Sequence, residues 1–133
     1  SFLDDESVDF ICTQPPYGSA LQYTATVPSD LSRIGNHDEF CRQMENVALE
    51  FKRVLKKRKR CAVMMGDIRK DGQLYPLGFK ILERFASAGF ALEDIVIKEQ
   101  FNDASTRFYS GARRAPRYLL AHEYLLIFGN RAS

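Results

Sequence analysis

The order of apolar runs in this 133-residue chain predicts an α/β fold of about four strands, three parallel and one antiparallel, with two main helices. Three observations carry that expectation. Short apolar runs alternate with two longer segments whose apolar residues recur every three to four positions. Two consecutive prolines stop the first run abruptly. A last apolar run, His122 to Phe128, follows a stretch without an amphipathic helix, so it pairs antiparallel with the run before that stretch.

Taken in order, Val8-Asp9-Phe10-Ile11-Cys12 reads as the first buried strand. Thr13-Gln14-Pro15-Pro16-Tyr17-Gly18 ends it, because neither proline donates a ladder hydrogen bond and both fix φ. An amide, carbonyls without internal partners and an aromatic ring then stand at the carboxyl end of a strand, where open α/β sheets bind ligands. Such groups can hold a planar, amine-bearing ring, the oxygens accepting from the amine and Tyr17 stacking on the face. Pro-Pro-Tyr also occurs as a polyproline turn or a ligand for proline-recognition domains, and these six residues alone leave both readings open.

Gly18 to Gly35 lacks a sustained period and reads as a loop beside the proposed site. Asn36, with Glu39 three residues later, reads as the N-cap of a helix whose face carries Phe40, Met44, Val47, Phe51 and Val54. Burying each of these is worth roughly 1.5–3 kcal/mol, so the face must pack on the sheet. The helix is expected to end in a basic cluster, Lys52 to Arg60, read mainly as solvated charge complementing the helix dipole. Cys61 to Met65 is the second strand, with Gly66-Asp67 at its carboxyl end. Asp71-Gly72 marks a turn. Leu74, Leu77, Ile81, Leu82, Phe85 and Ala88 give a second helical stripe, with Pro76 in its first turn and Gly89 as the C′ residue. Leu92 to Lys98 is the third strand and His122 to Phe128 the fourth.

Residues 99–121 form a long connection carrying Arg107, Arg113, Arg114 and Arg117 among Phe108, Tyr109 and Tyr118. Cations for phosphate and rings for stacking favour nucleic-acid contact over a merely solvated loop.

Composition sets the bounds. With 45% hydrophobic residues and a formal charge of +2, the chain reads as one globular domain that permits an acidic partner without demanding one. Cys12, Cys41 and Cys61 are scattered and odd in number, which fits reduced thiols in a cytoplasmic setting. Two histidines beside them argue against a zinc site, so no metal is expected. No apolar run reaches membrane-span length, and the acidic N-terminus is unlike a signal peptide.

Together these residues resemble the amino-group DNA methyltransferases, which methylate N4 of cytosine or N6 of adenine. Leu3 to Tyr17 is similar to the family's acidic lead-in, strand and (Asp/Asn/Ser)-Pro-Pro-(Tyr/Phe) motif. Glu50 to Lys56, continuing through Val63 to Arg69, resembles its Arg-Val-Leu helix end, strand and acidic turn. Ala88-Gly89-Phe90, Ile95 to Lys98 and His122 to Phe128 look like its closing antiparallel strands. The resemblance covers nearly the whole chain. It implies the catalytic half of a Rossmann-like S-adenosylmethionine-dependent methyltransferase fold, acting on a base flipped out of DNA. An RNA target stays open, and the role in restriction–modification or elsewhere is not named by it. Carried over, Gln14 and Pro15 accept from the exocyclic amine, Pro16 stiffens the turn, Tyr17 stacks on the base and Asp67 contacts the methyl donor.

Two departures matter. Gln14 stands where the family usually has Asp, Asn or Ser. The family's glycine-rich donor turn has no counterpart, since no Gly-x-Gly occurs here. The expectation is therefore an isolated chain that is inactive, either a truncated product or one subunit of a split enzyme. Its first strand is an open edge for a complementary half or a second copy. The opposing expectation is an inactive remnant that binds nucleic acid or protein.

Overall fold

The computed structural model describes residues 2–15, 34–70, 72–99 and 120–131. Its main sheet has the order β1 (Val8–Thr13), β2 (Leu55–Met65), β6 (His122–Gly129), β5 (Ala91–Glu99). A small hairpin joins β3 (Ile68–Lys70) to β4 (Gln73–Tyr75), turning at Gly72, whose φ of 79° suits glycine. Helices α1 (Ile34–Val54) and α2 (Leu77–Ser87) pack against each other on one face of the sheet.

Strands β1 and β2 are parallel, and β6 is antiparallel to both β2 and β5. Three strands therefore run one way and one runs the other. What the pattern did not reveal is that β6 also pairs with β2, inserting itself between β2 and β5. The physical reason lies in the two sequences. Tyr124-Leu125-Leu126-Ile127-Phe128 is uninterrupted apolar and takes the interior position, with Leu126 and Phe128 essentially inaccessible. Strand β5 carries Glu93, Asp94, Lys98 and Glu99, and charged residues suit an edge.

The helical stripes are buried as their spacing predicts. Phe40, Met44 and Val54 of α1 and Leu77, Ile81 and Phe85 of α2 enter the core, joined by Cys41 and Ala48. Phe85 stacks on Phe128 at 4.8 Å between ring centroids and lies 5.6 Å from Phe90. At the end of α2, Gly89 (φ 104°) donates to the Ala86 carbonyl and Phe90 N–H to that of Phe85. This double bond closes the helix in a Schellman turn, with Phe90 against Phe85 as its apolar contact. Leu74 is not part of that helix. It lies in β4 and is 47% exposed, because Pro76 occupies the N-cap and α2 starts only at Leu77. Helix α1 starts at Ile34, so Asn36 falls inside it and is not its cap.

The basic cluster is also placed differently from expectation. Helix α1 stops at Val54, and Leu55, fully buried, begins β2. Val8 pairs with Leu55 and Phe10 with Arg60, so Lys56 to Lys59 bulge out opposite Asp9 alone. Four charged residues in succession cannot bury one strand face, and the bulge projects them into water instead. Arg58 turns the corner at φ 67°. The bulge is pinned by Arg58 N–H donating to the Asn130 carbonyl (2.6 Å) and Asn130 N–H donating to that of Lys59 (2.8 Å). Asn130 itself is buried. Its Nδ2 donates to the Leu55 carbonyl at 2.7 Å, and its Oδ1 accepts from Lys52 Nζ at 2.6 Å.

The acidic lead-in lies along the end of α1. Arg53 pairs with Asp5 and Glu50 and donates to the Leu3 carbonyl, while Glu6 and Ser7 N–H groups donate to the Arg53 and Val54 carbonyls.

Candidate active site

Strands β1 and β2 end where β6 begins, so Gln14-Pro15, Gly66-Asp67 and His122-Glu123-Tyr124 gather at one end of the sheet. The basic bulge lies at the other end, about 17 Å away for five residues of β2.

Side chains alternate across a strand, so Glu123 and Tyr124 project to opposite faces. Tyr124 joins the helix-covered side. Its hydroxyl donates to Asp67 Oδ2 at 3.0 Å and accepts from His122 Nε2 at 3.2 Å, which assigns the ring proton to Nε2. Burial, and next the bond to Asp67, raise the Tyr124 hydroxyl above the usual tyrosine range. Asp67 Oδ1 accepts the Gly78 N–H at 3.0 Å, a carboxylate at the positive end of α2. The Phe79 ring lies 5.5 Å from that of Tyr124, and His37, buried, lies 4.3 Å from Tyr75.

Glu123 projects to the other face and meets β1. It is 8% exposed, and its Oε2 accepts from Gln14 Nε2 at 3.3 Å. Gln14 is exposed and Pro15 is buried. With the amide nitrogen turned to Glu123, Gln14 Oε1 is the end left for a hydrogen-bond donor outside the protein.

Of the residues singled out in the sequence, Gln14, Pro15 and Asp67 are therefore at one end of the sheet. Gln14 is joined to Glu123, and Asp67 to Gly78 and Tyr124. Pro16, Tyr17, Arg107, Tyr109, Arg113, Arg114 and Arg117 lie outside the described residues. In the sequence, Glu123, Tyr124 and His122 read only as part of a strand. The signal that could have marked them is three polar groups at the start of an otherwise apolar run, at the strand end facing the site.

The family model for N6/N4 DNA methylases matches residues 8–132. The chain belongs to the DNA amino-methyltransferase family. A comparison with curated proteins finds no significant match. Among solved structures, the PvuII DNA methyltransferase (cytosine-N4-specific) is 20% identical with a TM-score of 0.76, over 97% of this chain and 44% of that one. A protein described as a DNA modification methylase from Thermus thermophilus, solved with S-adenosyl-L-methionine, is 22% identical with a TM-score of 0.72, over 99% and 51%. A SAM-dependent methyltransferase from Methanosarcina mazei is 11% identical with a TM-score of 0.55, over 100% and 64%. The chain thus shares part of the fold of these methyltransferase structures and spans about half the length of the first two.

Among the described residues no helix is long and apolar enough to cross a membrane. No group of three or more His, Cys, Asp or Glu among them could hold a metal ion.

Proposed function

We propose that residues 1–133 are the base-holding, catalytic half of a DNA modification methylase that methylates the exocyclic amino group of a flipped cytosine or adenine. The observation that carries this reading is the Gln14 amide at the carboxyl end of β1, its nitrogen tied to Glu123 and its oxygen left as acceptor. Gln14 Oε1 and the Pro15 carbonyl accept from the amine and aim the nitrogen lone pair. Tyr17 stacks on the extruded base, offsetting the few kcal/mol that unstacking costs. Rate enhancement comes from this positioning and from acceptor oxygens beside the nitrogen as it becomes positive.

S-adenosylmethionine, when bound, supplies the electrophilic methyl group. Asp67 is the described residue offered to it. Each carboxylate oxygen already accepts one bond, from Gly78 or Tyr124, and keeps a second lone pair. The glycine-rich donor turn is supplied by residues outside these 133, in the same or another polypeptide, completing the sheet at the β1 edge. The 99–121 segment contacts DNA, Arg107, Arg113, Arg114 and Arg117 at phosphates and Tyr109 by stacking.

The test is transfer of labelled methyl groups to duplex DNA by the chain joined with the residues that supply the donor turn. Gln14→Ala is expected to lower kcat about 10²-fold, in the range for removal of one oriented polar group. A variant as active as wild type refutes the role. The absence of any Gly-x-Gly favours a second reading, a nucleic-acid- or protein-binding module without activity. Donor binding by calorimetry, with and without a candidate partner, separates the two. A duplex affinity that does not fall with added salt counts against the phosphate contacts.

A further inference from the structure

We propose that Glu123 is a positioning residue that sets which end of the Gln14 amide faces the base. The proposal rests on the function above for the identity of the client amine, but the contact itself does not depend on it. A glutamine amide has two ends of nearly equal shape and opposite chemistry. Rotated one way it offers an acceptor; rotated the other way it offers two N–H donors to an amine that is itself a donor. Gln14 is exposed and has one more side-chain torsion than Asn or Asp would have at this position, so packing does not choose for it.

Glu123 makes the choice electrostatically. An ionised carboxylate only accepts, so the contact at 3.3 Å is satisfied only by Nε2, which turns Oε1 away from Glu123. That length is at the long end for an N–H···O bond, which makes it an orienting contact and not a source of much stability. Glu123 is well placed to orient, because it is buried on β6, a strand hydrogen-bonded on both sides. A carboxylate behind the amide also polarises it, increasing the negative charge on Oε1. Gln14 and Glu123 together thus present an acceptor backed by a negative charge that a lone amide lacks.

The experiment uses the full chain labelled with ¹⁵N, with the Gln14 side-chain amide resonances assigned by their loss in Gln14→Ala. Glu123→Ala is expected to move those resonances clear of their wild-type position. Glu123→Gln, nearly isosteric but able to present a donor as well as an acceptor, should move them too and guards against a misfolded alanine variant. In methyl transfer by the chain joined with its donor-binding residues, both Glu123→Ala and Glu123→Gln should lower kcat about 10-fold with KM changed less than about twofold. Unmoved resonances in both variants overturn the proposal. Moved resonances with unchanged kcat overturn the positioning role while leaving the methylase reading intact. A wild-type chain that transfers no methyl group even when joined with its donor-binding residues, but shows the resonance response, sinks the methylase reading and upholds the tether.

Discussion

Asn130→Ala tests how the sheet end remote from Gln14 is held. Asn130 is 4% exposed, and its Nδ2 donates to the buried Leu55 carbonyl at 2.7 Å. Removing the donor takes a hydrogen bond from that carbonyl where water does not reach, at a cost of roughly 1–3 kcal/mol. Lys52 Nζ loses its 2.6 Å acceptor but keeps the Gly89 carbonyl at 3.1 Å. That partly screened loss adds about 1 kcal/mol. The sum is about 2–4 kcal/mol, a large share of the roughly 5–15 kcal/mol that holds a typical domain. Urea titration should show it as a lower midpoint with unchanged slope. Thermal unfolding should fall by roughly 8–16 °C, at about 4 °C per kcal/mol for a chain of this size. Asn130→Asp keeps the acceptor for Lys52 but turns a carboxylate on the Leu55 carbonyl, and should cost at least as much. A loss below about 0.5 kcal/mol for Asn130→Ala, within the range of ordinary surface substitutions, would refute the reasoning. So would a near-wild-type Asn130→Asp.

Four further outcomes follow from local geometry. Burial raises the Cys61 thiol from 9.0 to about 12, so the unfolded chain ionises first as pH rises. Stability contributed by the neutral thiol is whole below pH 9 and is lost towards pH 12, a slope that Cys61→Ala should reduce in urea titrations. Cys41 is likewise raised by burial, so a thiol reagent near pH 8 should find only exposed Cys12 reactive in the native protein, against three thiols in denaturant. In Gly78→Ala the new Cβ would stand 2.7 Å from Tyr124 Cε2. The ring, held by Asp67 and Phe79, must move, at about 1–3 kcal/mol and with a change in tyrosine fluorescence. Arg58→Gly relieves a left-handed backbone at φ 67° and should leave stability unchanged or raise it by about 1 kcal/mol in urea titration.

The parts of this molecule legible in its sequence are those set by neighbours along the chain. Gly89 was readable as the residue past α2 because a helix end needs positive φ within a few positions, and its φ is 104°. The stripes of α1 and α2 were readable because burial follows the helical period. Where the chain's own pattern is ambiguous, distant pairing decides the structure. Lys56 to Arg60 have no apolar period, and only the pairing of Val8 with Leu55 shows that β2 starts before them. The position of β6 depends on which of two partners its backbone meets, and alternation carries no information about that. The site divides in the same way. Gln14 and Pro15 stood out through the rigid turn they open. Glu123, 109 residues away, could not be connected to Gln14 until the strands were set side by side.

The knot around Asn130 makes the sheet unequal along its length. Two backbone bonds and three side-chain bonds to Leu55, Lys52 and Gly89 close one end beside stacked Phe85 and Phe128. At the other end, β6 begins at His122 and Glu123, where Glu123 accepts from Gln14 and Tyr124 donates to Asp67. Amide hydrogen exchange along this one strand should therefore be graded, slowest near Phe128 and fastest near His122, as local openings travel inward from the site. Anything held at Gln14 would then slow exchange at the first residues of β6 and leave the last ones as they were, a direct report of occupancy that requires no turnover.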